Sequence, residues 1–162
     1  MMLSTMSSRA SVLSLAVVAA ALLVPAAAAR AGGVWTAVGD PHVGGTVSPA
    51  LRGKPLVVRV HADWCGECQT SLPDFERFIK AYRGKVNVVD VDVTDGKTSA
   101  VAAARTQRLG LGAYYERTKA QPLTVAFIDP NTGTVHAALR GNVDLNDLIA
   151  AEKSVERSLR GR

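Results

Sequence analysis

Two cysteines separated by two residues constrain this chain more than any other feature. Cys65 and Cys68 are the only cysteines among 162 residues, and they stand in the run Trp64-Cys65-Gly66-Glu67-Cys68. The mostly apolar residues 56–61 are typical of a buried strand. Residues 65–82 carry apolar side chains at helical spacing and precede Gly84, which predicts a helix that ends there. A Cys-x-x-Cys between a strand and a helix indicates a redox pair.

The position of the pair at a helix start indicates which thiol is the nucleophile and which is the resolving thiol. Unpaired N–H groups and the positive end of the helix dipole favour a thiolate there. Such settings lower the pKa of a cysteine from about 8.5 to roughly 3.5–7.5. The second cysteine lies one turn along the same face and can close a Cys65–Cys68 disulfide. We therefore predict that Cys65 is the exposed nucleophile and Cys68 the shielded thiol that resolves the mixed disulfide.

Other uses of two cysteines fit the residues less well. Two thiols cannot form a four-cysteine zinc site, and only His61 is near enough to add a ligand. A c-type haem needs a histidine directly after the second cysteine, where this chain has Gln69. A structural disulfide rarely encloses two residues. We expect no metal and no cofactor.

The N-terminal residues 1–31 have the pattern of a secretory signal peptide. Arg9 precedes an uncharged apolar stretch over residues 10–24, Pro25 breaks it, and an alanine-rich run follows. Cleavage is predicted after Ala29 or Ala31, with an uncleaved membrane anchor as the alternative because the uncharged run just reaches spanning length. Export, to the periplasm by this prediction, would place the cysteines where thiols are usually oxidised.

Composition predicts one folded domain after this segment. Hydrophobic residues make up 48% of the chain and charged residues 20%, which is a balance typical of globular proteins. The net charge of +5 is too evenly spread to indicate nucleic-acid binding. We expect a monomer.

The order of predicted elements is that of an α/β protein. Residues 32–52 form an irregular lead-in with at most one short strand. The domain then covers residues 53–162. Its predicted strands are residues 56–61, 86–93, 123–128 and 134–139; its predicted helices are residues 65–82, 99–109 (capped by Thr98 or Ser99), 113–119 and 144–157, with a frayed tail beyond.

The motif Ala62-Asp63-Trp64-Cys65-Gly66-Glu67-Cys68 resembles the active site of the thioredoxin superfamily. Three further residues match positions of that superfamily. Pro73 matches the proline that kinks the active-site helix, Pro122 matches a cis-proline before a strand, and Gly141 matches a glycine ahead of the last helix. The run Gly53-Lys54-Pro55-Leu56-Val57-Val58 resembles the exported, membrane-tethered thioredoxin-like reductases of bacteria. The resemblance covers about residues 53–155 and implies a central mixed sheet flanked by helices. It also implies a cis peptide before Pro122 that contacts the dithiol, the alternative being an ordinary trans proline at a strand start.

Two departures from the superfamily pattern bear on the chemistry. Glu67 replaces the usual proline, and its carboxylate would disfavour a nearby thiolate and make the pair more reducing, unless it is merely solvated. The segment before Pro122 is longer than usual, with an insertion at about residues 97–120. Tyr114 and Tyr115 of that insertion, together with Gln121, are candidates for a client-binding wall; alternatively a tyrosine only packs onto the core.

A third departure concerns the charge beneath the active site. Arg59 stands where thioredoxins hold a buried aspartate, and Asp90 stands where they hold its lysine partner. The resemblance therefore implies the same pair with its charges exchanged. Arginine cannot act as a base, so Arg59 would favour the Cys68 thiolate by charge and leave His61 or water as the proton acceptor. The alternative is that Arg59 lies near a sheet end and extends to solvent.

These observations predict an exported thiol–disulfide oxidoreductase. The preferred direction is reduction of a disulfide in a client protein, with electrons supplied by a membrane thiol transporter. Trp64, Gly66, Glu67 and Pro122 would support the two cysteines. The alternatives are an oxidant that donates its disulfide, although no histidine lies between the cysteines, and a non-catalytic binding module on the same fold.

Overall fold

The central element of the fold is a five-stranded mixed sheet. The computed structural model describes residues 34–35 and 42–161, so the predicted signal peptide lies outside the described residues. The strand order is β1-β5-β4-β2-β3, and only the β2–β3 pair is parallel. The strands are β1 (Val34–Trp35), β2 (Leu56–His61), β3 (Asn87–Asp92), β4 (Thr124–Asp129) and β5 (Thr134–Arg140). This confirms the predicted α/β class with a mixed sheet.

Four helices cover the two faces of the sheet. They are α1 (Gly66–Ala81), α2 (Gly96–Arg108), α3 (Gly112–Thr118) and α4 (Leu145–Arg160), and a short 3-10 helix (Pro49–Leu51) precedes β2. α1 and α4 pack on one face around Phe78, Phe127 and Leu148. α2 and α3 pack on the other face around Ala102, Tyr115 and Ile128. Because side chains alternate along a strand, Val57 points into the first layer and Val58 into the second.

Two predicted helix boundaries need correction. α2 begins at Gly96, because Asp95 and not Thr98 or Ser99 is the N-cap; the Asp95 side chain accepts from the backbone N–H of Thr98 in a capping box. α4 continues to Arg160, beyond the predicted end at residue 157. The lead-in contributes Val43 and Val47 to the core, where both are buried.

Gly110 joins this lead-in to the helical layer. Its φ is +73°, and a Cβ there would lie 1.9 Å from the carbonyl oxygen of Thr46. Only glycine allows that approach together with that backbone conformation. The turn between α2 and α3 is thereby held against residues 46–47.

Candidate active site

Cys65 and Cys68 are joined by a disulfide at the start of α1, with their Cα atoms 5.2 Å apart. Cys65 is the N-cap residue, in extended backbone conformation, and its Sγ accepts a hydrogen bond from the backbone N–H of Cys68 at 3.2 Å. Cys65 is half-buried, whereas Cys68 is only 2% exposed. A second molecule can therefore reach the sulfur of Cys65 more readily than that of Cys68.

The residues after β3 hold the loop that precedes the disulfide. Thr94 accepts a hydrogen bond on its hydroxyl from the backbone N–H of Asp63 and another on its carbonyl from Trp64 Nε1, both at 2.9 Å. Asp92 Oδ1 in turn accepts from the backbone N–H of Thr94 at 2.8 Å and from its hydroxyl at 2.5 Å. The hydrogen bond from that hydroxyl lowers the pKa of Asp92. The indole of Trp64, 64% exposed, is thus held beside Cys65.

Sequence reasoning missed both Asp92 and Thr94. A signal was available, because the carboxyl ends of parallel neighbouring strands meet at one edge of a sheet. β2 and β3 are such neighbours, and Asp92 pairs with His61 at that edge.

The segment before β4 lies on the other side of the disulfide. Leu123 donates its backbone N–H to the carbonyl of Val60 at 2.8 Å, and its side chain lines a small cavity with Cys68. The described residues contain no cis peptide bond, so the cis-proline implied for Pro122 is wrong and the trans alternative holds. The unusual backbone conformation falls on Leu123 instead, at φ +68°. Gln121 is half-buried beside Pro122, and its carbonyl accepts from the Thr124 hydroxyl.

Arg59, His61 and Asp90 lie together beneath α1. Arg59 pairs in register with Asp90 of β3, and Arg59 Nη1 lies 4.0 Å from Asp90 Oδ1. His61 Nε2 lies 3.4 Å from the same oxygen. Arg59 is the fourth of the six residues of β2, and its side chain is 13% exposed, with its Cζ 4.7 Å from the centre of the Phe75 ring.

Tyr114 and Tyr115 do not form an exposed wall. They are 6% and 5% exposed and belong to the core under α2. The hydroxyl of Tyr115 donates to the carbonyl of Ser99 at 2.9 Å, and burial raises the pKa of Tyr114 to about 12. The alternative that a tyrosine packs onto the core therefore applies to both rings, which attach α3 to the sheet.

The remaining residues of the motif face solvent. Gly66 and Glu67 occupy the first turn of α1 and are exposed. Among residues 34–35 and 42–161, no three His, Cys, Asp or Glu side chains are grouped closely enough to hold a metal ion. In the same ranges, no helix combines the length and the apolar character that crossing a bilayer requires.

An α/β fold that presents a half-exposed cysteine at a helix N-cap, bonded to a buried one a turn later, defines a thioredoxin-fold thiol–disulfide oxidoreductase. The family model for thioredoxin matches residues 48–105. A thioredoxin H-type of Chlamydomonas reinhardtii is 38% identical over 87 residues, which are 52% of this chain and 77% of that protein. The chain belongs to the thioredoxin family.

Other similar proteins match smaller parts or at lower identity. A thiol:disulfide interchange protein TxlA homolog of Synechocystis is 40% identical over 46 residues, 28% of this chain and 26% of that protein. The chain thus spans about a quarter of that relative. The crystal structure of a DsbF homologue from Corynebacterium diphtheriae superimposes with a TM-score of 0.49 at 18% identity, covering 68% of this chain and 81% of that one.

Proposed function

We propose that this chain is an exported reductase of disulfides in client proteins. The observation that carries the proposal is the difference in access between half-buried Cys65 and buried Cys68. Export is supported by the signal-like pattern of residues 1–31. The missing histidine between the cysteines supports the reducing direction over the oxidising one. The exposed Glu67 adds little, because solvent screens its charge.

The reaction divides into two exchanges. The Cys65 thiolate attacks one sulfur of the client disulfide; that bond breaks, and the departing client sulfur takes up a proton. The Cys68 thiolate then attacks the Cys65 sulfur, forms the Cys65–Cys68 disulfide and releases the second client thiol. Two electrons pass to the client, and a membrane dithiol, itself oxidised to a disulfide, then supplies two more that reduce the Cys65–Cys68 disulfide.

The exposed and buried cysteines predict opposite behaviour for their serine variants. Cys65→Ser is expected to abolish insulin reduction, since no accessible thiolate starts the exchange. Cys68→Ser is expected to hold the client in a mixed disulfide with Cys65, visible as a dithiothreitol-sensitive adduct by mass spectrometry. Normal turnover by Cys68→Ser, or faster alkylation of Cys68 than of Cys65 in the reduced protein, would reverse the assignment.

The direction of transfer is tested by the reduction potential. Equilibration with graded dithiothreitol buffers is expected to give a value nearer to about −270 mV, typical of thioredoxin, than to about −120 mV, typical of a strong oxidant. A potential at the oxidising end would favour the disulfide-donating alternative. A protein that exchanges with no disulfide would be a binding module.

A further inference from the structure

Arg59 places a positive charge in apolar surroundings beneath Cys68. Both residues line a cavity of about 10 Å³, which is at the lower limit for one water molecule. Arg59 is the only charged side chain among the described residues that line this cavity. The other lining residues are Ser71, Phe75, Leu123, Val125, Val143 and Leu148. The Arg59 side chain is 13% exposed, so its charge acts on its neighbours more strongly than that of a fully solvated arginine.

Asp90 neutralises this charge incompletely. Its carboxylate oxygen lies 4.0 Å from Arg59 Nη1, at the outer limit for an ion pair, and its side chain is 47% exposed. Solvent screens such a carboxylate, and the same oxygen also faces His61. Arg59 and Asp90 also line a more open groove on the outer side of α1, together with three other charged residues: Glu76 and Lys80 of α1, and Arg83, which follows the helix. β4 and α4 contribute only apolar side chains to the cavity.

We propose that Arg59 stabilises the thiolate of Cys68 through its charge, and that Asp90 limits how much of that charge the sulfur experiences. The inference rests on the proposed function, in which Cys68 is the resolving thiol. Arg59 contacts neither client nor the scissile bond in this scheme; it is a positioning residue that acts on Cys68.

The effect belongs to the second exchange of the cycle. Cys68 must lose its proton before its sulfur attacks Cys65, and a buried thiol holds that proton tightly because burial disfavours the thiolate. Arginine stays protonated, so it offsets this cost without accepting the proton. The proton leaves to water, while the electron pair on Cys68 forms the new bond to the Cys65 sulfur and the client sulfur departs.

The test titrates Cys68 alone, in the reduced Cys65→Ser protein, by its rate of alkylation with iodoacetamide as a function of pH. Added Arg59→Met is expected to raise the midpoint of the rate profile by about one pH unit, the shift typical of losing an opposite charge nearby. Arg59→Lys, which retains the charge, should recover at least half of that shift. Asp90→Asn should move the midpoint the opposite way. Arg105→Met is the matched control, because Arg105 donates to the Asp90 carbonyl from α2 and does not line the cavity.

An unchanged midpoint in Arg59→Met, or a rise in Asp90→Asn, would overturn the inference. If Arg59→Met does not fold, Asp90→Asn still decides it: a lower midpoint supports the inference, and an unchanged or higher midpoint overturns it. The two proposals fail in different ways. If the proposed function is wrong, the wild-type protein does not reduce insulin. If only the role of Arg59 is wrong, the wild-type protein still reduces insulin.

Discussion

Asp92 is the residue on which the order of the active-site loop depends. Its carboxylate accepts a hydrogen bond from the Thr94 hydroxyl. Thr94 in turn accepts hydrogen bonds from the backbone N–H of Asp63 and from the indole N–H of Trp64. The lowered pKa of Asp92 means that the folded state binds this proton less tightly than the unfolded chain does. Its contribution to stability is present above the unfolded pKa of about 3.9 and is lost as the pH falls through the folded value.

Asp92→Asn is expected to lower the free energy of unfolding at pH 7 by about 1 kcal/mol, the net value of a hydrogen bond. The difference from the wild type should shrink as the pH falls from about 3.9 toward the lower folded pKa of Asp92, because the unfolded carboxylate takes up its proton first. Urea unfolding at pH 7 and pH 3 measures both. A constant difference at the two pH values would show that the charge of Asp92 does not stabilise the loop.

At the scale of single elements, α2 shows how a cap sets a helix boundary. Asp95 and Thr98 satisfy each other's backbone N–H groups at its start, so the helix begins three residues before its apolar pattern does. The apolar pattern alone does not locate the cap, because Thr98 and Ser99 are also common N-cap residues.

Asp95→Ala is expected to cost about 1 kcal/mol of stability, the usual value of an N-cap. Ser99→Ala is the matched control and should cost less, since residue 99 lies inside the helix. Thermal or urea unfolding of the two variants at neutral pH compares them. A larger loss of stability for Ser99→Ala than for Asp95→Ala would show that residue 99 is the N-cap, as the sequence predicted.

At the scale of the whole molecule, two carboxyl groups make the free energy of unfolding depend on pH in opposite directions: Asp92 and Glu152. Glu152 of α4 is 3% exposed. Burial raises its pKa, and the nearby Glu156 carboxylate adds to that rise. A raised folded pKa stabilises the protein at low pH. That stability is fully present below the unfolded value of about 4.3 and is lost as the pH rises through the folded value. Asp92 acts in the opposite sense.

Glu152→Gln is expected to be more stable than the wild type at pH 7, by on the order of 1 kcal/mol, because it never carries the buried charge. The gain should diminish toward pH 4, where the wild-type carboxyl is also neutral. Glu116→Gln, at an exposed position paired with Lys119, is the control and should change little. A gain independent of pH would assign the effect to packing instead of charge.

Local sequence determined most of the elements and the two reacting sulfurs. The strand over residues 56–61 and the helix after Cys65 follow from apolar spacing, and the cysteine pair follows from its place between them, because these signals act over a few residues. The last helix was predicted to start at residue 144 on the same basis, and Asp144 is the N-cap of α4.

Only the tertiary structure decided which residues surround the disulfide. Sequence spacing does not show that β2 and β3 are parallel neighbours, yet that pairing brings Asp92 and Thr94 to Trp64; the Arg59–Asp90 pair was expected only from the resemblance to thioredoxins. It also does not show which face a residue of the insertion presents, so Tyr114 and Tyr115 could be assigned to the surface although both are buried. The trans peptide at Pro122 and the positive φ of Leu123 occur where the backbone N–H of Leu123 donates to the carbonyl of Val60, a contact that local sequence does not show. Such contacts join residues tens of positions apart, and the packing of the whole sheet selects them.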